Sequence, residues 1–279
     1  MKRLLFSILS LCTLIPFASE AQEVVNDSKR RNWSDDEPLM GNVESIRIFT
    51  YLATATDYAA AGTITNDITY RFNERGDVAE YTSQTGDFSS CGVYSYDANR
   101  RTLERTLSFN GEFGSRTTFE YNAAGKLIKT TTIDAMDCTE GVCTYKYDDK
   151  GRLVETFYDD MTDMGFDEES LYSYNSQGKL IKFSFSSDAD AYYETYEYNT
   201  KGERIKTYYY WVDSLSHIIH SSYNAQGALS EQIFYNEANQ PTQKTVYQYD
   251  SKGNMVKLSV VDMQTKKVTT ITQREIVYR

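Results

Sequence analysis

Proline, histidine, tryptophan and cysteine are all scarce in these 279 residues: 3 Pro, 2 His, 2 Trp and 4 Cys. With 15 Gly besides, the chain is neither collagen-like nor a Pro/Gly-rich low-complexity polymer, and 4 Cys are too few to staple a miniprotein. Excess positive charge is missing too. Lys+Arg 29 against Asp+Glu 40 gives a formal charge of -11, which argues against a nucleic-acid partner, because a phosphate backbone needs clustered cations. His217 and His220 stand three apart in a β-rich stretch, so alternation sends them to opposite faces and spoils them as a shared metal or catalytic pair. The spacings of a Ser-His-acid triad, a Walker loop, an HExxH helix and a Rossmann turn are absent. After residue 21 no apolar run approaches the about 20 residues of a membrane-spanning helix. The excess lies in aromatics, 24 Tyr and 13 Phe among them, a load that favours strands.

The first 21 residues read as an export signal. Lys2 and Arg3 precede an apolar run from Leu4 to Phe17, and Ala18-Ser19-Glu20-Ala21 supplies small residues for cleavage before Gln22. Lipidation at Cys12 is disfavoured, since Leu11 is bulky where a small residue should precede the cysteine. Residues 22–41 are polar and charged and read as a linker, and residues 42–279 as the folded domain. The expected location is outside the cytoplasm: periplasm, cell surface or medium.

The domain is an internal repeat. Aromatic-x-aromatic-Asp/Asn-x-x-Gly recurs as Tyr70-Arg71-Phe72-Asn73-Glu74-Arg75-Gly76, Phe119-Glu120-Tyr121-Asn122-Ala123-Ala124-Gly125, Tyr145-Lys146-Tyr147-Asp148-Asp149-Lys150-Gly151 and Tyr172-Ser173-Tyr174-Asn175-Ser176-Gln177-Gly178. Tyr196 to Gly202 and Tyr247 to Gly253 are complete copies, Ser221 to Gly227 keeps only Tyr223, and Tyr94 to Arg100 replaces the glycine with Arg100. The period is about 25 residues. Asp or Asn accepts hydrogen bonds from the turn that follows, and Gly supplies positive φ, so each motif closes a β-turn between strands. Two strands and two turns per period predict nine hairpins and about eighteen antiparallel strands.

The motif resembles the YD or RHS repeat over nearly all of Val43 to Arg279. That resemblance implies an all-β sheet of tandem hairpins coiling into a spiral or shell, and it carries a hint of carbohydrate binding. A long toxin-like array and a self-cleavage motif are missing here, so the toxin-encapsulating role does not transfer.

Residues i and i+2 share a face of a strand, so the paired tyrosines of successive repeats should form a ladder. Eighteen strands left open would expose two edges, so the sheet is expected to curl, spiral or close into a wide barrel. An outer-membrane barrel needs an apolar outer band, which Lys129, Glu155, Lys182 and Lys206 interrupt. The nine variable hairpin tips carry 17 acids against one base, Lys266, whereas the repeated turns are mildly basic. Within the tips, Asp159, Asp160, Asp163 and Asp167 are candidate calcium ligands, although their spacing is not an EF-hand's. Cys138 and Cys143 flank one tip and are candidates for a disulfide. Tyr58, Tyr192, Tyr193, Tyr208 and Tyr210 lie outside the repeat register and are the candidate ligand contacts. These readings describe an exported, non-catalytic module serving as a scaffold or binding surface at the cell envelope. Its expected partner is a glycan or an envelope protein. The rival is a hydrolase with a carboxylate site inside the curled sheet, which demands a concave pocket with convergent acids of perturbed pKa.

Overall fold

The computed structural model describes residues 33, 39–53, 64–136, 138–161 and 166–279. The export signal, most of the linker, Tyr58 and Asp163 lie outside the described residues. Eighteen strands follow one another. They are β1 (Val43–Leu52), β2 (Ile64–Phe72), β3 (Val78–Thr85), β4 (Phe88–Tyr96), β5 (Thr102–Phe109) and β6 (Glu112–Tyr121). Next come β7 (Leu127–Asp134), β8 (Thr139–Tyr147), β9 (Leu153–Asp160), β10 (Glu168–Tyr174), β11 (Leu180–Ser187) and β12 (Ala191–Tyr198). The last are β13 (Arg204–Trp211), β14 (Ser214–Tyr223), β15 (Leu229–Asn236), β16 (Pro241–Tyr249), β17 (Met255–Asp262) and β18 (Val268–Tyr278). Each pairs antiparallel with its neighbours in the chain, and β18 returns to β1, with Val43 opposite Tyr278 and Leu52 opposite Thr270. The sheet is a closed barrel. Of the curled sheet, spiral and barrel, this is the form that leaves no unpaired edge.

The repeated turns are built alike. Asn122 Oδ1 accepts the N–H groups of Ala124 and Lys126, each at 3.0 Å, while the Gly125 N–H donates to the Asn122 carbonyl at 2.9 Å with Gly125 at φ +78°. Asn73, Asp97, Asp148, Asn175, Asn199, Asn224 and Asp250 repeat those side-chain bonds in their own turns. A bulge follows each turn. Lys146 faces Glu155, yet Tyr147 faces Leu153, so Val154 is the extra residue and the alternation of the next strand is reset.

One face of the sheet is the inside. Apart from Tyr51 and Ile271, every buried non-glycine strand residue, from Val43 and Ile46 to Thr245 and Met255, falls on the face of the repeat tyrosines. On that face the second tyrosine of each motif donates its O–H to the carbonyl that begins the preceding repeat's second strand. Tyr96 bonds Val78, Tyr121 Thr102, Tyr147 Leu127, Tyr174 Leu153, Tyr198 Leu180, Tyr223 Arg204 and Tyr249 Leu229, at 2.5–2.9 Å. The expected ladder is therefore also a set of staples between repeats. Cations of the turns lie on the same rings: Arg101 over Tyr121, Lys126 over Tyr147, Arg152 over Tyr174 and Lys179 over Tyr198, at 4.6–5.7 Å. The mildly basic rim is thus tied down by cation–π contacts.

The outer face is different. Arg71–Glu80, Lys129–Glu120, Lys146–Glu155, Lys206–Glu197 and Lys244–Glu231 pair across strands around it. At the junction of β18 with β1, Trp33 is 5% exposed and packs edge-on against Tyr70 at 5.0 Å and Phe72 at 5.8 Å. Part of the segment read as linker is therefore docked on the inner face. Arg279 completes the junction by donating to the carbonyls of Phe72 and Asn73.

Candidate functional site

Strand parity divides the candidate tyrosines. In β12, Tyr196 and Tyr198 are the repeat pair on the inner face, so Tyr192 points inward with them and Tyr193 points out. Tyr192 lies against Phe185 at 5.1 Å and Trp211 at 6.2 Å, and burial pushes its phenol up to about 12. In β13 the bulge after the turn places Tyr208 and Tyr210 outside and Tyr209 inside. Three of the five expected contacts thus share one outer wall, Tyr192 is taken from it, and Tyr58 lies outside the described residues.

That wall is a platform. Tyr193 and Tyr210 face each other across strands with ring centroids 4.4 Å apart and planes within 11°. One step toward the repeated turns runs a second cross-strand row, Tyr208, Ile218 and Tyr235, with Leu215 beside Tyr210. Polar groups frame it. Lys182 Nζ stands 4.4 Å from the Tyr193 ring, and the Tyr208 O–H donates to Glu197 Oε1 at 2.9 Å. His220 flanks Tyr235 at 4.6 Å, and burial lowers its pKa. Tyr235 escaped the sequence reading because it stands singly between Phe234 and Asn236; the cross-strand pairing reveals it.

Inside, behind this wall, Tyr196 donates to Glu194 Oε2 at 2.8 Å, and Tyr209, directly opposite, also reaches that carboxylate. Burial holds the Glu194 carboxyl above the usual range, against the pull of those phenols and of Arg204. His217 stacks on Tyr209 at 4.2 Å, on the opposite face from His220, as the spacing implied. Nearer the tips, Asp160 and Glu168 share the inner face of β9 and β10; burial, then the charge of Asp160, raises Glu168.

The other sequence candidates do not assemble. Asp159 faces out and Asp160 in, so the pair cannot ligate one ion from the strand, and Asp167 instead accepts the Asp160 N–H at 3.2 Å. Among the described residues no group of three His, Cys, Asp or Glu is placed to hold a metal ion. The expected Cys138–Cys143 bond is not formed, and neither cysteine is in a disulfide. Cys143 stands in β8 opposite Thr130, whereas Cys138 belongs to the tip, its N–H bound to Asp134 at 2.9 Å.

A second concavity lies on the outer face of β1 to β5. It encloses about 400 Å³ and is lined by Arg47, Asp67, Thr69, Thr82, Gln84 and Ser108, among others. Arg47 grips Asp67 through Nε at 3.0 Å and Nη2 at 2.7 Å, and this pairing holds the Asp67 carboxyl below the usual range.

The chain matches no known family model, and no curated protein resembles it in sequence. Among solved structures, a porin-like protein from Bacteroides uniformis aligns at 13% identity and a TM-score of 0.45, over 86% of this chain and 99% of that one. A porin-like protein from Bacteroides vulgatus aligns at 12% identity and a TM-score of 0.28, over 85% of this chain and 99% of that one. TcdB2-TccC3 aligns at 16% identity and a TM-score of 0.40, over 80% of this chain but 13% of its own length. The resemblance to YD repeats accordingly rests on the eight turn motifs themselves.

Proposed function

We propose that this chain is an exported, non-catalytic β-barrel that binds glycan through the outer wall of β12 to β15. The observation that carries the reading is the Tyr193–Tyr210 stack continued by Tyr208, Ile218 and Tyr235. Aromatic rings offer an apolar body for a sugar's C–H face and a polar tip for its hydroxyls, and the flanking Lys182 and Glu197 supply further partners. The barrel is read as water-facing. Its outer face carries charge in mid-strand as well as at the rim, in the Arg47–Asp67, Arg116–Glu104 and Lys244–Glu231 pairs, and an Arg or Lys at the bilayer midplane would cost roughly 2–4 kcal/mol.

A glycan array followed by calorimetry tests this. The protein is expected to bind at least one glycan saturably, and Tyr193→Ala with Tyr210→Ala should raise Kd at least tenfold without changing the melting temperature. Absence of saturable binding across the array overturns the reading. A hydrolase is the second reading, favoured by the Asp160–Glu168 pair, since burial and the Asp160 charge raise Glu168, as a general acid requires. Hydrolysis of chromogenic glycosides that disappears with Glu168→Gln would establish it.

A further inference from the structure

The trough on β1 to β5 has the form of a second binding site. Its floor follows a single cross-strand row, Arg47, Thr69, Thr82, Cys91 and Ser108, read directly from the pairing of five successive strands. Short side chains in that row sink it between longer neighbours. Toward the repeated turns stands the parallel row Arg71, Glu80 and Val93, and at the ends of the floor stand aromatic rings, Phe49 beside Arg47 and Phe113 opposite Ser108. The groove therefore runs across the strands, where an extended peptide finds no free backbone groups, because all strand edges are paired with each other. Its lining is hydroxyl, amide, the Cys91 thiol and the fixed Arg47–Asp67 pair, with Glu275 reaching the same guanidinium at 3.6 Å from beyond the trough. Such a surface suits a neutral, hydroxyl-rich chain.

The barrel's order places this trough opposite the tyrosine wall. From β3 to β13 is ten strands one way round the ring and eight the other. We propose that the trough binds a second glycan segment, so that one barrel bridges two glycan chains from opposite sides. The proposal rests on the reading of the tyrosine wall as a glycan site and extends it from binding to cross-linking. Two sites facing away from each other cannot close on one short oligosaccharide, whereas two chains, or distant parts of one polymer, can each take one; linkage then multiplies avidity at a polymer surface.

Calorimetry with hexasaccharides of glucose, mannose, galactose and N-acetylglucosamine reads the number of sites. The expected result is two sites per chain for one of these probes. Thr82→Arg fills the trough and should leave one site, as should Ser108→Arg; Tyr193→Ala with Tyr210→Ala should leave the other, and the combined variant none. Circular dichroism and the melting temperature check that each variant is folded, and the two separate trough variants guard against a single misfolded one. The wild type should also flocculate the corresponding polysaccharide, and each single-site variant should bind it without flocculation. One site that Thr82→Arg and Ser108→Arg leave intact overturns the trough while sparing the tyrosine wall. One site lost in the trough variants and kept in the tyrosine variant overturns the wall and the bridging together. No heat with any of the four probes overturns the bridging proposal, and the broader array then decides the wall.

Discussion

A single phenolic oxygen decides how successive repeats hold together. Tyr147 spans the sheet to the Leu127 carbonyl at 2.8 Å, and burial pushes its ionisation up to about 12. Replacing it with Phe keeps the ring and Lys126's seat on it but strips a buried bond, so Tyr147→Phe should cost about 1 kcal/mol in urea unfolding. Glu194 makes the opposite kind of contribution. Its raised pKa means the folded chain keeps a proton that the unfolded chain has released, so its contribution is present below the unfolded pKa and declines as pH rises through the folded one. Glu194→Gln is uncharged at every pH. It should melt at least about 2 °C above the wild type at pH 7, with the gap closing near pH 4, as followed by thermal scans across that range.

At the scale of the turn, Arg100 shows which requirement dominates. It occupies the glycine position with φ 65°, a left-handed conformation costing a non-glycine residue roughly 1–2 kcal/mol. Its guanidinium meanwhile holds Asp77 of the preceding turn, whose side chain is fully buried, through Nη2 at 2.5 Å. Arg100→Gly would relax the backbone and remove the guanidinium from a buried carboxylate, at a cost of about 3–5 kcal/mol. The balance should be a net loss of about 2 kcal/mol in chemical denaturation, although the substitution restores the consensus. The repeat was legible because its chemistry is local: Asn or Asp, two residues, then a positive φ. The bulge after each turn was not. It depends on how two strands slide past each other, and it is what sends Tyr208 and Tyr210 outward while Tyr209 goes in.

For the whole molecule, the docked Trp33 offers a probe of closure. Trp33 is buried at the β1–β18 junction, while Trp211, the other tryptophan, is 50% exposed. In a Trp211→Phe variant the remaining emission should be blue-shifted and resist acrylamide quenching; red-shifted, readily quenched emission would mean that the leading segment does not dock. The sequence by itself determined the strand count, the two kinds of turn, the charge difference between the two rims and the architectural duty of the repeat tyrosines. Each of these follows from spacing of a few residues within one hairpin. Only the tertiary structure decided that the sheet closes, which face lies inside, and that Tyr193, Tyr208, Tyr210 and Tyr235 form one wall while Arg47 to Ser108 form a trough opposite it. Closure pairs residues more than two hundred positions apart, and the register across strands depends on bulges and pairing that no local motif encodes.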